Sequence, residues 1–323
     1  MLLNLDSEDD GEIFVGCAGG IDTTAVFSYK RSLAPENFIF LRVNVSGLLG
    51  GHSGSDINLG RANANKVIAR FIWECSQLWD IEVAEFNGGN LRNAIPREAW
   101  AVFGVHSDHE QAVVRHLNRF SAEIVNEYKA VEPSIKLTIE RTSKPEYCID
   151  SDTSLRLVRA IYSAPHGVYS MSADLEGLVE TSTNLAAVKM IDDNKIRVTT
   201  SQRSSVESRK KDIAGQVEAH FQLAGAEVSH SDGYPGWAPD MQSPIMKISA
   251  DAYEELFGVK PAIKAIHAGL ECGLFLTKYP DLDMVSFGPT MTGVHSPDEK
   301  ILIPTVDKFW QHLCRVLEKV AKA

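Results

Sequence analysis

The sequence predicts an α/β protein of two lobes. Short apolar stretches of strand character alternate with stretches of helical periodicity along nearly the whole chain. The length, 323 residues, corresponds to about two domains at roughly 150 residues each. One turn-rich segment, Asp232-Gly233-Tyr234-Pro235-Gly236-Trp237-Ala238-Pro239, interrupts the alternation and is the best place for a domain boundary. With 44% hydrophobic and 23% charged residues, the chain is neither disordered, collagenous nor a coiled coil. Its net charge of −11 argues against nucleic-acid or anionic-membrane partners.

Taken in order, Glu12–Val15 is a short apolar stretch running into the glycine-rich break Gly16-Cys17-Ala18-Gly19-Gly20. Residues 38–45 alternate as a strand, closed by the glycine-rich turn 47–54. From Gly60 to about Trp79, Val67, Ile68, Phe71, Ile72, Cys75 and Leu78 recur at helical spacing. A strand at 98–105, a helix at 109–128, a strand at 136–140 and a helix at 153–162 follow. Next come a strand at 196–200, a helix at 208–223 and a strand at 226–229. Beyond the turn-rich segment lie a helix at 250–257, a strand at 262–266, a short helix at 272–276 and a strand at 284–287. The last helix starts near Pro304, which suits a first helical turn, and carries Val306, Phe309, Trp310, Leu313 and Leu317 on one face. No internal repeat and no low-complexity tract is evident. The apolar runs are too short and too interrupted by charge to span a bilayer, and the acidic N-terminal residues do not form a signal peptide. Five widely spaced cysteines, with no CxxC pair, read as reduced thiols of a cytoplasmic protein.

Three places can carry chemistry. Leu2–Leu5 delivers Asp6 at the carboxyl end of a strand, where open α/β sheets place their ligands; a solvated acidic turn is the alternative. His295 lies in a glycine- and proline-rich loop just after a strand, either a neutral imidazole ligand for a metal or a surface histidine. His52, flanked by Gly50, Gly51 and Gly54, is accessible as a donor to a developing oxyanion, or is a solvated turn histidine. That turn lacks the lysine of a phosphate-binding loop.

Other patterns are discounted. His106-Ser107-Asp108-His109-Glu110 has metal-binding residue types, yet it sits where Ser107 or Asp108 would cap the following helix. Cys272 has no third member for a nucleophilic triad and begins a helix, and His312 lies within the final helix.

Several long strings, in order over the whole chain, resemble the bacterial aminoacyl-histidine dipeptidases, within the carnosinase-like family of dinuclear-zinc peptidases. They include Asn4-Leu5-Asp6-Ser7-Glu8, the segment 46–54, Leu59-Gly60-Arg61-Ala62-Asn63-Ala64 and Asn93-Ala94-Ile95-Pro96-Arg97-Glu98. Tyr234-Pro235-Gly236-Trp237, the segment 267–273 and His295-Ser296-Pro297-Asp298-Glu299 belong with them. The resemblance implies a catalytic α/β domain with a mostly parallel sheet, here 1–20 and 234–323, and an inserted α+β lid over 21–233. It implies zinc, two ions in the intact family, with cobalt or manganese as alternatives. Asp6 matches the aspartate that binds one ion and His295 the histidine that binds the other. His52 matches the lid histidine that stabilises the tetrahedral intermediate, and Asn93, Arg203 and Gly269 match substrate-binding positions. Arginine suits a free peptide carboxylate because its planar fork pairs with it bidentately. The implied partners are a dipeptide of the Xaa-His kind and a second copy bound through the lid.

The family also has a His-x-Asp motif, a bridging aspartate and a Glu-Glu pair ahead of Asp6, and none of these lies upstream of Asp6 here. The chain therefore resembles the C-terminal two-thirds of such an enzyme. Two expectations follow: a metallodipeptidase whose chain is inactive alone, or a non-catalytic dimerising or peptide-binding remnant.

Overall fold

The computed structural model describes residues 1–192, 194–293 and 298–322. A small four-stranded sheet is formed from both ends of the chain. Its strands are β1 (Leu2–Asn4), β2 (Glu12–Cys17), β11 (Ala262–Ile266) and β12 (Met284–Ser286), in the order β1-β12-β2-β11. The β1·β12 and β2·β11 pairs are parallel, and β2 meets β12 antiparallel at a single pair, Phe14 and Ser286. Helices α5 (Pro244–Phe257) and α7 (Ile303–Val320) pack on it around Ile13, Val15, Ile245, Val285, Phe287 and Val316. Cys17, Trp237, Met284 and Cys272, the last from helix α6 (Cys272–Leu276), form a separate cluster.

Everything between is organised on a nine-stranded antiparallel sheet. Its main strands are β3 (Gly19–Ser28), β4 (Phe38–Ser46), β5 (Ile81–Gly88), β6 (Ala99–His106) and β7 (Lys136–Thr142), then β8 (Val179–Asp192), β9 (Lys195–Ser204) and β10 (Glu227–His230). The spatial order is β7-β4-β6-β5-β8-β9-β3-β10, and a short strand, Gly167–Met171, pairs with β8 off this path. Helices α1 (Ala64–Leu78), α2 (Glu110–Tyr128), α3 (Ser151–Ser163) and α4 (Glu207–Leu223) cover it. Phe27, Phe71, Phe86, Phe103, Phe120 and Phe221 fill one continuous core beneath them. Helix α1 starts where Asn63 accepts from the Asn65 and Lys66 backbone amides, and its apolar stripe is buried from Val67 to Cys75 as the spacing predicts, whereas Leu78 in the last turn is exposed.

The large sheet is a repeat, although none is evident in the residues. One unit runs β4-α1-β5-β6-α2-β7, and its strands lie side by side as fourth-first-third-second. The other runs β3-α3-β8-β9-α4-β10 and lies as second-third-first-fourth. The two second strands, β5 and β8, meet antiparallel at Gly88 and Val188. The pair is thus arranged as by a two-fold axis. The repeat escapes the sequence because the first unit is inserted inside the second, between β3 and α3, and only topology is shared.

The two sheets are joined by a crossing of chain segments. Cys17 bridges Trp237 and Gly20 bridges Tyr234, both antiparallel. A Cβ on Gly19 would lie 2.4 Å from the Gly236 nitrogen, so only glycine permits this approach. Sequence periodicity places a break here, whereas β3 already begins at Gly19 and runs for ten residues. Strands β5 and β8 also go unread: β8 is buried over most of its length and so lacks alternation. Helix α5 begins at Pro244, earlier than residue 250, with Ser243 as its cap.

Candidate functional site

A cleft of about 930 Å³ lies where the two sheets meet. Asp6, His52, Asn93, Arg203 and Gly269 all line it, although they come from five separate segments. His295 falls outside the described residues.

Asp6 follows β1 on a turn fixed from beneath. Its backbone N–H donates to Asn4 Oδ1 at 2.8 Å, the same oxygen accepts from Ser286 Oγ at 3.0 Å, and Ser7 and Ser286 hydroxyls are 2.6 Å apart. A Cβ on Gly288 would lie 1.7 Å from the Ser7 carbonyl oxygen, so the turn seats directly on backbone. These buried polar groups leave the Asp6 side chain exposed on the cleft.

His52 is held by a short ladder. Gly51–His52 pairs with Ala94–Ile95, and the Ser53 amide donates to the Asn93 carbonyl at 2.8 Å, which ties the His52 and Asn93 loops together. The amides of Gly54 and Ser55 both point at His52 Nδ1, each at 3.2 Å. Nδ1 is therefore the accepting nitrogen, and the proton of the neutral ring sits on Nε2. Burial lowers the His52 pKa, the Arg203 cation lowers it further, and Asp56 opposes them. A neutral donor results.

Arg203, near the end of β9, is only 6% exposed. Its Nε donates to Ser53 Oγ at 3.3 Å and its Nη1 to Tyr234 Oη at 2.8 Å. Both partners are neutral, and among the described residues it forms no ion pair. A buried cation without an anion is costly, so its presence at a cleft wall marks a place for one. Tyr234 was not singled out from sequence beyond its turn-rich string; its ring also packs where a Gly269 side chain would sit, 2.9 Å from that Cβ. At the rim, Arg92 Nη1 pairs with Asp22 at 2.6 Å.

Among the described residues no three His, Cys, Asp or Glu side chains come together as a metal-binding group. Asp6 is the one proposed ligand within them. A catalytic zinc takes about three protein ligands plus water, so this described donor set does not fit one. The discounted residues have structural roles. His106 itself caps the turn before α2, its Nδ1 accepting from the Asp108 amide at 3.3 Å, in place of Ser107 or Asp108. His312 is buried against Ser249, and burial pushes the Cys272 thiol up to about 12, which leaves it protonated.

Comparison with known proteins gives a consistent set of likenesses. Residues 43–132, within the β4–β7 unit, match the family model of the peptidase dimerisation domain. The cytosol non-specific dipeptidase of Escherichia coli K12 is 39% identical over 320 residues, 99% of this chain and 66% of that protein. The crystal structure of aminoacylhistidine dipeptidase from Vibrio alginolyticus superposes with a TM-score of 0.94 at 42% identity, covering 99% of this chain and 65% of that one. The chain thus spans just under two thirds of the length of either relative.

Proposed function

The chain belongs to the aminoacyl-histidine dipeptidase family of peptidases, and on that premise we propose that its cleft binds short peptides by their free carboxylate for metal-dependent hydrolysis. The observation that carries this is Arg203, buried at the cleft wall with two neutral partners and, among the described residues, no carboxylate. A peptide C-terminus supplies the missing anion, and the guanidinium fork can take it bidentately. Asn93, exposed on the adjoining loop, offers an amide to the same end of the peptide. Tyr234 fixes the guanidinium, and Gly269 presents bare backbone to the peptide. His52, with its Nε2 proton, donates to the oxygen of the peptide carbonyl as charge develops there.

In this family the metal supplies an activated water, and zinc is the ion we propose. Asp6 and His295 are the positions assigned to it. The described donor set does not fit a catalytic ion. That observation favours a second reading, in which the chain by itself binds peptides without hydrolysing them. A cytoplasmic location is proposed from the five unpaired thiols; no helix among the described residues is long and apolar enough to cross a membrane.

The test is calorimetric binding of an Xaa-His dipeptide and of its C-terminal amide, with histidine release followed in parallel. We expect the free acid to bind and the amide to bind much more weakly. Replacing Arg203→Ala should remove about 1.5–3 kcal/mol from the free acid only. Equal loss for acid and amide would show that Arg203 is not the carboxylate clamp.

A further inference from the structure

His267 stands immediately behind the cleft, between the lining residues Ile266 and Ala268. It follows β11, is 6% exposed, and shares a 2.7 Å hydrogen bond between its Nε2 and Ser182 Oγ on β8 of the large sheet. Its Nδ1 is buried, and the Val179 backbone offers the ring a second, weaker hydrogen bond. On its other side the main chain of His267 supports the His52 loop. A Cβ on Gly54 would lie 2.2 Å from the His267 carbonyl oxygen and 3.1 Å from His52 Cε1. Two residues further on, Gly269 lines the cleft against Tyr234, which holds Arg203.

We propose that His267 is a positioning residue: by bonding Ser182 across the junction of the two sheets, it sets the opening between Gly269 and the His52–Arg203 wall. This rests on the peptide-binding reading of the cleft. The physical reason for a histidine is its neutral ring, which bonds a hydroxyl in either tautomer and fits a site beside a cation. Burial first, then the neighbouring Arg203 and His52, hold it down to about 3, so it stays neutral at every physiological pH. A protonated ring would place a second buried charge beside Arg203.

The test uses the full chain with His267→Ala, His267→Gln and Ser182→Ala. Three quantities are read: thermal unfolding, the NMR titration of the His52 ring, and calorimetric affinity for an Xaa-His dipeptide. Ser182→Ala and His267→Ala should weaken binding roughly tenfold, the worth of one lost hydrogen bond. They should also move the His52 titration toward the ordinary histidine value, while His267→Gln, which keeps a polar group of similar reach, should recover most of both. If His267→Ala does not fold, Ser182→Ala, which removes one hydroxyl, decides. Unchanged affinity and unchanged His52 titration in a folded Ser182→Ala chain would overturn the proposal. Should the unsubstituted chain bind no dipeptide, the peptide-binding reading falls, and the His52 titration in Ser182→Ala still decides whether His267 positions the wall.

Discussion

A buried guanidinium loses hydration that only an anion can replace fully, and Arg203 has been given a serine and a tyrosine instead. That imbalance separates it from Arg70, whose guanidinium is tied to Glu74 and Glu127 on the surface of the helical layer. Burial also keeps histidines neutral. His166 is held down to about 4 by burial and the neighbouring Lys66, and its Nδ1 accepts from the Leu185 amide at 3.3 Å. With His267 held near 3, the folded chain carries at least two rings that titrate well below the unfolded value of about 6.5. Below that value the unfolded chain binds more protons, so stability is full above it and falls as the pH drops. Thermal midpoints should therefore decline from pH 7 to pH 4.5, and the decline should be shallower in His166→Gln. An identical slope in that variant would remove His166 from the account. Whereas His295 lies outside the described residues, the Asp6 and His52 positions were legible as cleft-facing loops, because glycine and strand ends announce themselves locally. Tyr234 and His267 were not, since each owes its role to partners more than 30 residues away.

At the scale of elements, the seam between β5 and β8 determines whether the two sheet units form one body. Gly88 and Gly89 end β5 there. Gly89 has a φ of +66°, and a Cβ on it would sit 1.9 Å from the Ala186 carbonyl oxygen. Gly89→Ala should therefore cost about 1–3 kcal/mol from backbone strain, with the clash added, read as a lower denaturant midpoint. Loss of less than 0.5 kcal/mol, the scale of an ordinary surface substitution, would mean that the seam yields easily. The helices of both units were legible because each buries one stripe at a period of 3.6, as Val67–Cys75 does. Strand β8 was not, because a strand covered on both faces has no alternation to read.

For the whole molecule, the doubled unit bears on assembly. We expect a homodimer through the large-sheet region, with sedimentation at twice 35.5 kDa. Since β8 already occupies the β5 edge, that edge is not free for the contact. A clean monomer at micromolar concentration would refute it. Metal binding belongs to this scale too. With Asp6 as the only assigned ligand among the described residues, equilibrium dialysis of the chain alone should retain well under two zinc ions. Two tightly held ions per chain would show that the donor set has been misjudged.

By itself the sequence determined the α/β class, the helical stripes, the turn-rich break around Tyr234 and the loops that carry Asp6 and His52. These are local: periodicity, glycine and proline express constraints that act within a few bonds. Only the tertiary structure decided that the large sheet is one unit inserted in its own likeness, and that β3 starts inside a glycine-rich break. It alone brought Asp6, His52, Asn93, Arg203 and Gly269 around one cleft and set His267 behind it. Those facts depend on burial and on contacts between distant segments. Desolvation is a property of the packed whole, which no stretch of residues records.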